Sequence, residues 1–283
     1  MTDAVMRWWP APAKINLFLH ILGRRPDGYH DIQTLFQLLN WGDDIGIRLL
    51  SEPKITRLPV SYGVSESEDL VVRAATLLQS ETAGRLGAEI AVRKRVPPGS
   101  GMGGGSSDAA TVLRVLNQLW NCKLGTEELS RLGRSLGADV PVFIYGRSAM
   151  AGGIGEELEP VSLGLRHYLL VFPDFPVSTR AVFADPELNR NSKMLKTAEV
   201  LEGKGINDCE TVVRKRFPAF DTMLQVLQKW GKPRMTGTGS GIFIPMRDEN
   251  SAKSAAQAMK TLYNVRAVQG VDRSPLHEKL DCN

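Results

Sequence analysis

A cluster of glycines and serines between residues 97 and 110 carries the clearest chemical signal in the sequence. The segment reads PPGSGMGGGSSDAA, and five glycines fall within the seven positions from Gly99 to Gly105. Because glycine lacks a Cβ atom, backbone N–H groups in such a loop can turn towards a ligand and approach it closely. A helix that follows adds free N–H groups and the positive end of its dipole. The segment therefore predicts an anion site, and a nucleotide phosphate is the anion that fits it.

The flanking residues predict a strand before this loop and a helix after it. Upstream, EIAVRKRV alternates small or apolar residues with charged ones, which is typical of a strand. Downstream, apolar residues recur at helical spacing from Ala109 to Trp120. A strand, a glycine-rich loop with free backbone N–H groups and the start of a helix together form an anion-binding site.

Several interpretations of the loop are open at this point. A Walker A loop requires Lys before the final Ser or Thr, and Gly105 is followed by Ser106 and Ser107 instead, which excludes it. The stretch Gly99–Gly104 satisfies the dinucleotide pattern G-x-G-x-x-G, but the segment NCKLGTEE stands where a second strand ending in an acidic residue is required. A flexible connector is the third interpretation, although such connectors seldom join so clear a strand to so clear a helix.

A second group of polar residues lies near the start of the chain. The residues from Ile15 to Ile21 alternate, which predicts a strand with Lys14 and Asn16 pointing to the same side. A solvated lysine at a strand start is the alternative for Lys14. The following Pro-Asp-Gly turn presents Tyr29 and His30, and this pair can stack on a planar base and hydrogen-bond its edge. Two ordinary, partly buried strand residues are the alternative for that pair.

Two further segments complete the set of candidates. Asp139 follows a helix that ends at Gly137 and precedes a run, Val140 to Ile144, that we predict to be a short buried strand. An aspartate in this position is often only a capping or turn residue. In RMTGTGSGIFIPM the residues Gly237, Gly239 and Gly241 alternate with Thr238 and Ser240. That loop is either a tight hairpin turn or a second wall around a phosphorylated substrate.

Together these segments resemble the GHMP kinases, a family that includes galactokinase and the homoserine, mevalonate and phosphomevalonate kinases. Gly101, Met102, Gly103, Ser106, Ser107 and Ala109 match the phosphate loop of that family. The similarity covers nearly the whole chain, from Trp9 to about His277. The Lys14-to-His30 segment resembles one subfamily, whose acceptor is a cytidine diphosphate conjugate of methylerythritol in non-mevalonate isoprenoid synthesis.

The resemblance implies a reaction and its machinery. ATP would phosphorylate the 2-hydroxyl of the methylerythritol unit, giving the 2-phosphate and ADP, with Mg²⁺ as cofactor. Asp139 would be the general base, and Lys14 would stabilise charge on the hydroxyl oxygen and the γ-phosphate. Ser106 and Ser107 would place hydroxyls near the phosphates and Mg²⁺, whose other ligands are unknown. The implied ATP-binding residues are Pro97, Pro98, Gly99, Ser100, Gly101, Met102, Gly103, Gly104, Gly105, Ser106 and Ser107.

The same resemblance implies how the acceptor binds. Tyr29 and Phe183 would sandwich the cytosine ring, and His30 would hydrogen-bond its edge. Asn16 would bind the acceptor end, while Gly237, Thr238 and Gly239 would line the far wall. The chain departs from the family pattern at Asp69 and Asp108, where asparagine is expected. The role of Asp69 is therefore open, and Asp108 is interpreted as a helix-start residue.

The implied fold is α+β: a ribosomal-S5-domain-2-like N-terminal domain for ATP, residues 1–160, and a ferredoxin-like C-terminal domain for the substrate, residues 161–283. The active site would lie in the cleft between them, and the oligomeric state is left open. The rivals are another GHMP kinase with a different acceptor, a dinucleotide-dependent oxidoreductase, and an RNA-binding module. An RNA-binding module would need clustered Arg and Lys interleaved with exposed aromatic residues, and the sequence offers no such cluster.

Composition limits the classes that remain. The net charge is +4, a mild excess that suits small anionic substrates without indicating nucleic acid. Three widely spaced cysteines predict neither a disulfide framework nor a metal site, and fit a reducing compartment. The first residues do not resemble a signal peptide, and no apolar run approaches the ~18 residues of a membrane span. We therefore expect a cytoplasmic enzyme that acts on small molecules, without nucleic-acid or membrane partners.

Overall fold

The computed structural model describes residues 5–59, 63–81 and 84–282, and these form mixed α and β structure. Its strands pair into one sheet with the order β3-β4-β2-β10-β7-β9-β8; β1 and β5 also pair with β2, and β6 pairs with β5. The strands are β1 (Arg7–Arg24), β2 (His30–Leu50), β3 (Ile55–Arg57), β4 (Gly87–Arg93), β5 (Ala149–Gly152), β6 (Glu157–Pro160), β7 (Arg166–Phe172), β8 (Arg234–Met235), β9 (Ile242–Met246) and β10 (Asn264–Val271).

Helices cover this sheet in both halves of the chain. Among the described residues, none of them combines the length and the apolar composition needed to cross a membrane. They are α1 (Leu70–Glu81), α2 (Gly104–Leu119), α3 (Thr126–Leu136), α4 (Val140–Tyr145), α5 (Thr179–Phe183), α6 (Thr197–Leu201), α7 (Asp208–Arg216), α8 (Pro218–Leu227), which a 3₁₀ turn (Gln228–Trp230) extends, α9 (Glu249–Met259) and α10 (Pro275–Asp281).

Two apolar cores lie under these helices, and a third cluster joins them. The first core packs α1, α2, α3 and α4 against β1, β2 and β4. The second core packs α7, α8 and α9 against β7 and β9. Between them, Ile15 and Met102 from the first half meet Tyr168, Leu170 and Phe243 from the second. Burial of about 150–250 Å² by each aromatic ring makes this cluster a firm junction between the halves.

The strand and helix predicted around the glycine loop are confirmed as β4 and α2. On α2 the positions at helical spacing, including Val112, Leu113 and Leu116, are fully buried, as the pattern requires. The loop between these elements is short. It is therefore held between two anchored pieces of regular structure.

The prediction of a strand over Val140 to Ile144 is wrong, because these residues form the helix α4. All five are buried, so no alternation distinguishes helix from strand in this run. Pro141 in the first turn and the left-handed Gly146 at the end are helix-boundary signals, and here they decide the structure.

The last helix returns to the first core. Leu276 of α10 is buried in that core, and His277 Nε2 lies 3.0 Å from the carbonyl oxygen of Ile144 in α4. The backbone N–H of Ser274 also donates to the carbonyl of Gly146. The division of the chain at residues 160 and 161 stays a prediction, and α10 is a part of the second half that packs on the first.

Candidate active site

A cavity of about 1090 Å³ lies where the glycine loop meets β1, α4 and the loop between β8 and β9. Its size suits a large ligand or two smaller ones. Most of the residues singled out from the sequence line it, namely Lys14, Asn16, Tyr29, His30, Pro97, Pro98, Gly99, Ser100, Gly101, Met102, Gly103, Gly104, Gly105, Ser106, Asp139, Phe183, Gly237 and Thr238.

At the centre of the cavity a lysine and an aspartate form an ion pair. Lys14 Nζ lies 3.2 Å from Asp139 Oδ2, and Lys14 is only 2% exposed. The ammonium group also donates to Asn16 Oδ1 at 2.6 Å and to the carbonyl oxygen of Gly101 at 3.1 Å. These acceptors hold the buried charge in one position. The Asp139 side chain keeps 37% of its surface exposed, so its carboxylate can accept a proton from a molecule in the cavity.

Two different elements bring this pair together. Lys14 lies on β1, and Asn16 beside it is fixed by donation from its Nδ2 to Thr34 Oγ1. Asn16 therefore uses its side chain to position Lys14 in this structure. Asp139 is the N-cap residue of α4, two positions after Gly137, the glycine that ends α3. A helix start exposes a short side chain while its backbone is anchored, which suits a reactive carboxylate.

The glycine loop runs into α2 without a side-chain cap. Gly103 is the N-cap residue, with φ of 70°, and no side chain accepts from the first turn. The first N–H groups of a helix have no carbonyl of their own helix to bond. Those of Gly104, Gly105 and Ser106 are therefore left for an anion, and the helix dipole favours one there. A Cβ at Gly103 would lie 2.9 Å from the ring of Phe143 and 3.2 Å from Lys14 Cε.

Backbone contacts join the glycine loop to the loop between β8 and β9. The N–H groups of Ser240 and Gly241 donate to the carbonyls of Gly99 and Ser100, each at 3.1 Å. Gly101 has φ of 71°, and a Cβ there would lie 2.3 Å from the carbonyl oxygen of Thr236. Only glycine permits this approach. The TGTGSG segment thus packs directly against the predicted phosphate loop.

Two residues of the predicted site lie away from the cavity wall. Ser107 is fully buried and its hydroxyl donates to the carbonyl oxygen of Pro12 at 2.6 Å. The expectation that this hydroxyl lies near the phosphates is corrected: it ties α2 to β1. Gly239 turns towards Met235, and a Cβ there would meet that side chain, so it shapes its loop behind the wall. Ser106, which is half-buried, does line the cavity.

The opposite end of the cavity carries the aromatic residues. Tyr29 is 57% exposed at the turn before β2. The rings of His30 and Phe183 stack, with centroids 5.1 Å apart and an interplanar angle of 26°. Tyr29, His30 and Phe183 all line this end of the cavity.

Arg190 holds this aromatic end together, and it was not identified from the sequence. Its guanidinium donates to the carbonyl oxygens of Phe183 and Asp185, both at 2.8 Å, and to that of Leu188 at 3.0 Å. Its Nε also donates to His30 Nε2 at 3.1 Å. The residue lies in an irregular segment, DPELNRNS, where periodicity gives no signal.

The contact with Arg190 determines the state of His30. Burial, Arg190 and Arg24 lower the pKa of His30 below its ordinary value, which keeps the ring neutral. Because Nε2 accepts from Arg190, the proton of the neutral ring lies on Nδ1. His30 is therefore a hydrogen-bond donor at Nδ1, which can meet an acceptor on the edge of a base.

A buried charge cluster of Asp43, Lys94 and Asp108 lies beside the glycine loop, and Lys94 and Asp108 line the cavity. Lys94 Nζ donates to Asp43 and, at 2.8 Å, to Asp108 Oδ2. Asp108 Oδ1 is buried and has no hydrogen-bond partner among the described residues. Burial, opposed by Lys94 and reinforced by Asp43, raises the pKa of Asp108 to about 8. Asp108 lies just beyond the first turn of α2, which carries no acidic residue, so its interpretation as a helix-start residue is wrong. Its bond to Lys94 links α2 to the segment before the loop.

Asp69 also lines the cavity, and its carboxylate is held by two partners. Its carboxylate pairs with Arg57, and its Oδ1 accepts from the N–H of Val71 at 3.1 Å in the first turn of α1. Asp69 is therefore a paired, helix-capping residue on the wall of the cavity.

The described residues contain no group of three or more His, Cys, Asp or Glu side chains that could hold a metal ion by themselves. The arrangement instead offers a backbone anion site, an ammonium–carboxylate pair and an aromatic end in one cavity. That combination suits the transfer of a phosphoryl group to a hydroxyl on a base-containing molecule.

Comparisons with known proteins agree with this geometry. The family "GHMP kinases N terminal domain" matches residues 69–147, and "GHMP kinases C terminal" matches residues 190–265. A 4-diphosphocytidyl-2-C-methyl-D-erythritol kinase from Xanthomonas euvesicatoria pv. vesicatoria is 49% identical over 96% of this chain and 93% of its own length. One from Halorhodospira halophila is 48% identical over 95% of this chain and 94% of its own.

Solved structures show the same fold. A crystal structure of 4-(cytidine 5'-diphospho)-2C-methyl-D-erythritol kinase matches with a TM-score of 0.82 and 33% identity, covering 94% of this chain and all of that one. A mevalonate kinase structure, at 14% identity and a TM-score of 0.66 over 95% of this chain and all of that one, shares the fold. The expected α+β GHMP kinase fold is confirmed. The chain belongs to the 4-diphosphocytidyl-2-C-methyl-D-erythritol kinase family of GHMP kinases.

Proposed function

We propose that this protein transfers the γ-phosphoryl group of ATP to the 2-hydroxyl of 4-diphosphocytidyl-2-C-methyl-D-erythritol, giving the 2-phosphate and ADP. The observation that carries the proposal is the 3.2 Å contact between Lys14 and Asp139, which lies between a backbone anion site and an aromatic end. A kinase needs its donor phosphate and its acceptor hydroxyl to meet at such a pair. Family membership at 49% identity supports the choice of acceptor.

The phosphate end binds the nucleotide mainly through its backbone. The N–H groups of the glycine loop and of the first turn of α2 hold the triphosphate, and Ser106 adds a hydroxyl. The γ-phosphoryl group then lies near Lys14, whose buried ammonium stabilises the negative charge that is transferred. Because Lys14 is fixed by neighbouring oxygens before the substrate binds, little reorganisation is needed during the reaction.

Asp139 acts as the general base in this proposal. Its partly exposed carboxylate accepts the proton as the acceptor oxygen attacks phosphorus. Lys14, at 3.2 Å, holds the carboxylate in position before the transfer. The proton moves from the substrate hydroxyl to Asp139, and the bond to the ADP oxygen breaks.

Magnesium fits this site as a partner of the phosphates. Mg²⁺ prefers oxygen ligands, usually keeps several waters, and needs only one or two protein oxygens. Ser100 and Ser106 are serines of the glycine segment that line the cavity, and the Ser106 hydroxyl would hold the ion. When bound, Mg²⁺ neutralises charge on the β- and γ-phosphates.

The cytidine end of the acceptor binds at Tyr29, His30 and Phe183. In this proposal Tyr29 and Phe183 sandwich the cytosine ring, and His30 donates from Nδ1 to the base edge. Gly237 and Thr238 form the far wall, where Thr238 Oγ1 lies 2.8 Å from Thr179 Oγ1.

A coupled assay of ADP release tests the proposal. The purified protein is mixed with ATP, Mg²⁺ and one acceptor at a time: the cytidine conjugate, mevalonate, phosphomevalonate, homoserine or galactose. We expect turnover with the conjugate alone, and a phosphomonoester at the 2-position of the product by ³¹P NMR. Turnover with another acceptor and none with the conjugate would overturn the substrate, and no turnover with any of them would overturn the kinase activity.

A further inference from the structure

A second cavity, of about 360 Å³, lies on the other side of β1 from the proposed active site. It is formed by β1, the segment around Gly205 and the sheet strands β7, β8 and β9. Its volume falls within the range of small-molecule sites, about 300–1,000 Å³. None of the residues that line the proposed active site lines this cavity, so it is a separate space.

The cavity carries positive charge without an acidic lining residue in the described part of the chain. Arg166 and Arg234 are half-buried in its wall, and the exposed Arg247 lies at its rim. Arg166 Nε donates to the carbonyl oxygen of Leu163, and Arg234 Nη2 donates to that of Gly205. Within the described ranges, neither Arg166 nor Arg234 forms a salt bridge with a carboxylate. Arg247, in contrast, pairs with Asp248.

Burial of these two guanidinium groups is unfavourable unless an anion compensates for it. Buried charges in proteins are normally paired, because removing them from water is costly. Burial lowers the pKa of Arg234, while Glu210 and Tyr168 act in the opposite direction. Glu210 is itself engaged, since it accepts from the N–H of Met235 and lies 3.6 Å from Arg214. The protein therefore leaves two forked donors that a phosphate or carboxylate can satisfy.

The rest of the lining is apolar. Leu17 and Phe18 of β1 form one wall, Val200 and Leu201 of α6 form another, and Phe243 forms part of the floor. The guanidinium of Arg234 lies 5.8 Å from the centroid of the Phe243 ring, so the charged and apolar surfaces adjoin. Burial of a hydrocarbon group against this surface removes it from water, which favours binding.

The two cavities share a wall only one strand thick. Asn16 faces the active site while Leu17, the next residue, faces the second cavity. Likewise, Arg234 is separated by one residue from Thr236, whose hydroxyl accepts from the N–H of Asn16 at 2.9 Å. An occupant of the second cavity therefore lies against the strands that carry active-site residues.

We propose that this second cavity is a binding site for a small amphipathic anion, a phosphate or carboxylate joined to a short hydrocarbon group. The anionic group bonds to Arg166 and Arg234, and the hydrocarbon packs on Leu17, Phe18, Val200 and Leu201. The site binds its ligand independently of ATP and of the acceptor.

Calorimetric titration of the full chain with hexyl phosphate tests this assignment, with inorganic phosphate and hexanol as matched halves of the probe. We expect saturable binding of hexyl phosphate, with each half binding at least about tenfold more weakly. Arg166→Gln and Arg234→Gln should each weaken it by about fivefold or more. The control Lys253→Gln, at an exposed residue that pairs with Glu249 and does not line the cavity, should change it by less than about twofold.

Two results would overturn the proposal. One is an unchanged affinity of Arg166→Gln for hexyl phosphate. Arg166 bonds to Leu163, in the same half of the chain, so this substitution removes no bond between the N- and C-terminal halves of the protein. The other is loss of binding when the active site is saturated with ADP and the cytidine conjugate, since the probe would then occupy the active site. If Arg234→Gln fails to fold, as judged by circular dichroism, the Arg166→Gln result decides alone.

Discussion

The phosphate end of the main cavity is formed mainly by backbone groups, whereas the base end is formed by side chains. At the phosphate end, backbone groups of a glycine loop are fixed by backbone bonds to a second loop. At the base end, side chains from a turn and an irregular segment meet, with Tyr29 largely exposed and one arginine holding the others. The difference indicates that the phosphate end is formed before ligands bind, whereas the base end depends on individual side chains. Substitutions at the phosphate end should therefore change stability and ATP binding, whereas substitutions at the base end should change only the binding of the acceptor.

The largest effect is expected where the two ends meet. Asp139→Ala removes the proposed base, and general-base catalysis contributes about 10²–10⁴-fold, so kcat should fall by that range. Lys14→Met should lose a similar factor. Folding of Asp139→Ala should be normal because the side chain is partly exposed. Single-turnover kinetics and a thermal melt measure both properties, with the exposed Asp174→Ala as control. Near-full activity in Asp139→Ala would exclude its role as base.

At the phosphate end a single methyl group should disrupt the backbone site. Gly101→Ala places a Cβ 2.3 Å from the carbonyl of Thr236 at a positive φ, so the two loops must separate. We expect a loss of about 1–3 kcal/mol of stability and a rise of about tenfold or more in the KM for ATP. Gly105→Ala is the matched control, because its Cβ would meet only Leu70 Cδ1 at 3.5 Å. Equal behaviour of the two variants would show that the loop is not preformed.

At the base end the effect should be confined to the acceptor. Stacking of a base on an aromatic side chain is worth about 1–3 kcal/mol, so Tyr29→Ala or Phe183→Ala should raise the KM for the cytidine conjugate about 5- to 150-fold. The KM for ATP should be unchanged. Initial-rate measurements with each substrate varied in turn give both constants. An unchanged KM for the conjugate would refute the proposed sandwich.

A smaller effect is expected at Arg190, which acts through His30. Arg190→Gln should raise the KM for the conjugate by about fivefold, with kcat unchanged, because His30 loses the donor that keeps its proton on Nδ1. In the native protein burial and Arg190 lower the pKa of His30, so the ring is neutral at pH 6.5 and above. Without Arg190 that pKa moves upward, so the titration of the His30 imidazole, followed by NMR, should shift to higher pH. A pH profile identical to that of the native protein would leave Arg190 with a structural role only.

The smallest effect on activity is expected at the charge cluster of Asp43, Lys94 and Asp108, where the change is in stability. Asp108 has a pKa of about 8 in the folded protein against 3.8 ordinarily, so the folded state binds more protons between these values. Its contribution to stability is therefore lost as the pH rises from about 4 to about 8. Asp108→Asn should raise Tm relative to the native protein at pH 8.5 and less so at pH 6, in thermal melts across this range. A Tm difference that does not depend on pH would contradict this.

Features that are determined by one continuous segment of the chain could be predicted from the sequence. The glycine loop, its strand and its helix could be predicted because the backbone conformation itself demands glycine. Lys14 and Asn16 were correctly predicted to share one side of β1, because strand alternation fixes that relation. The α4 helix was missed because a wholly buried apolar run carries no period. The Ser107 hydroxyl and Arg190 could not be placed, since both depend on contacts between distant parts of the chain.

Helix α10 docks on the end of α4 that lies farthest from Asp139. The carboxylate of Asp139 starts a helix whose far end rests on His277, and a Cβ at Gly146 would lie 2.2 Å from that imidazole. The proposed base is therefore supported by residues that leave the ribosome more than a hundred positions after it. A nascent chain that ends after β10 contains the residues of the phosphate cradle but lacks this support, so nucleotide capture should precede catalytic competence during biosynthesis. Proteolytic removal of the segment that follows β10 should leave a protein that holds ATP and transfers phosphate poorly.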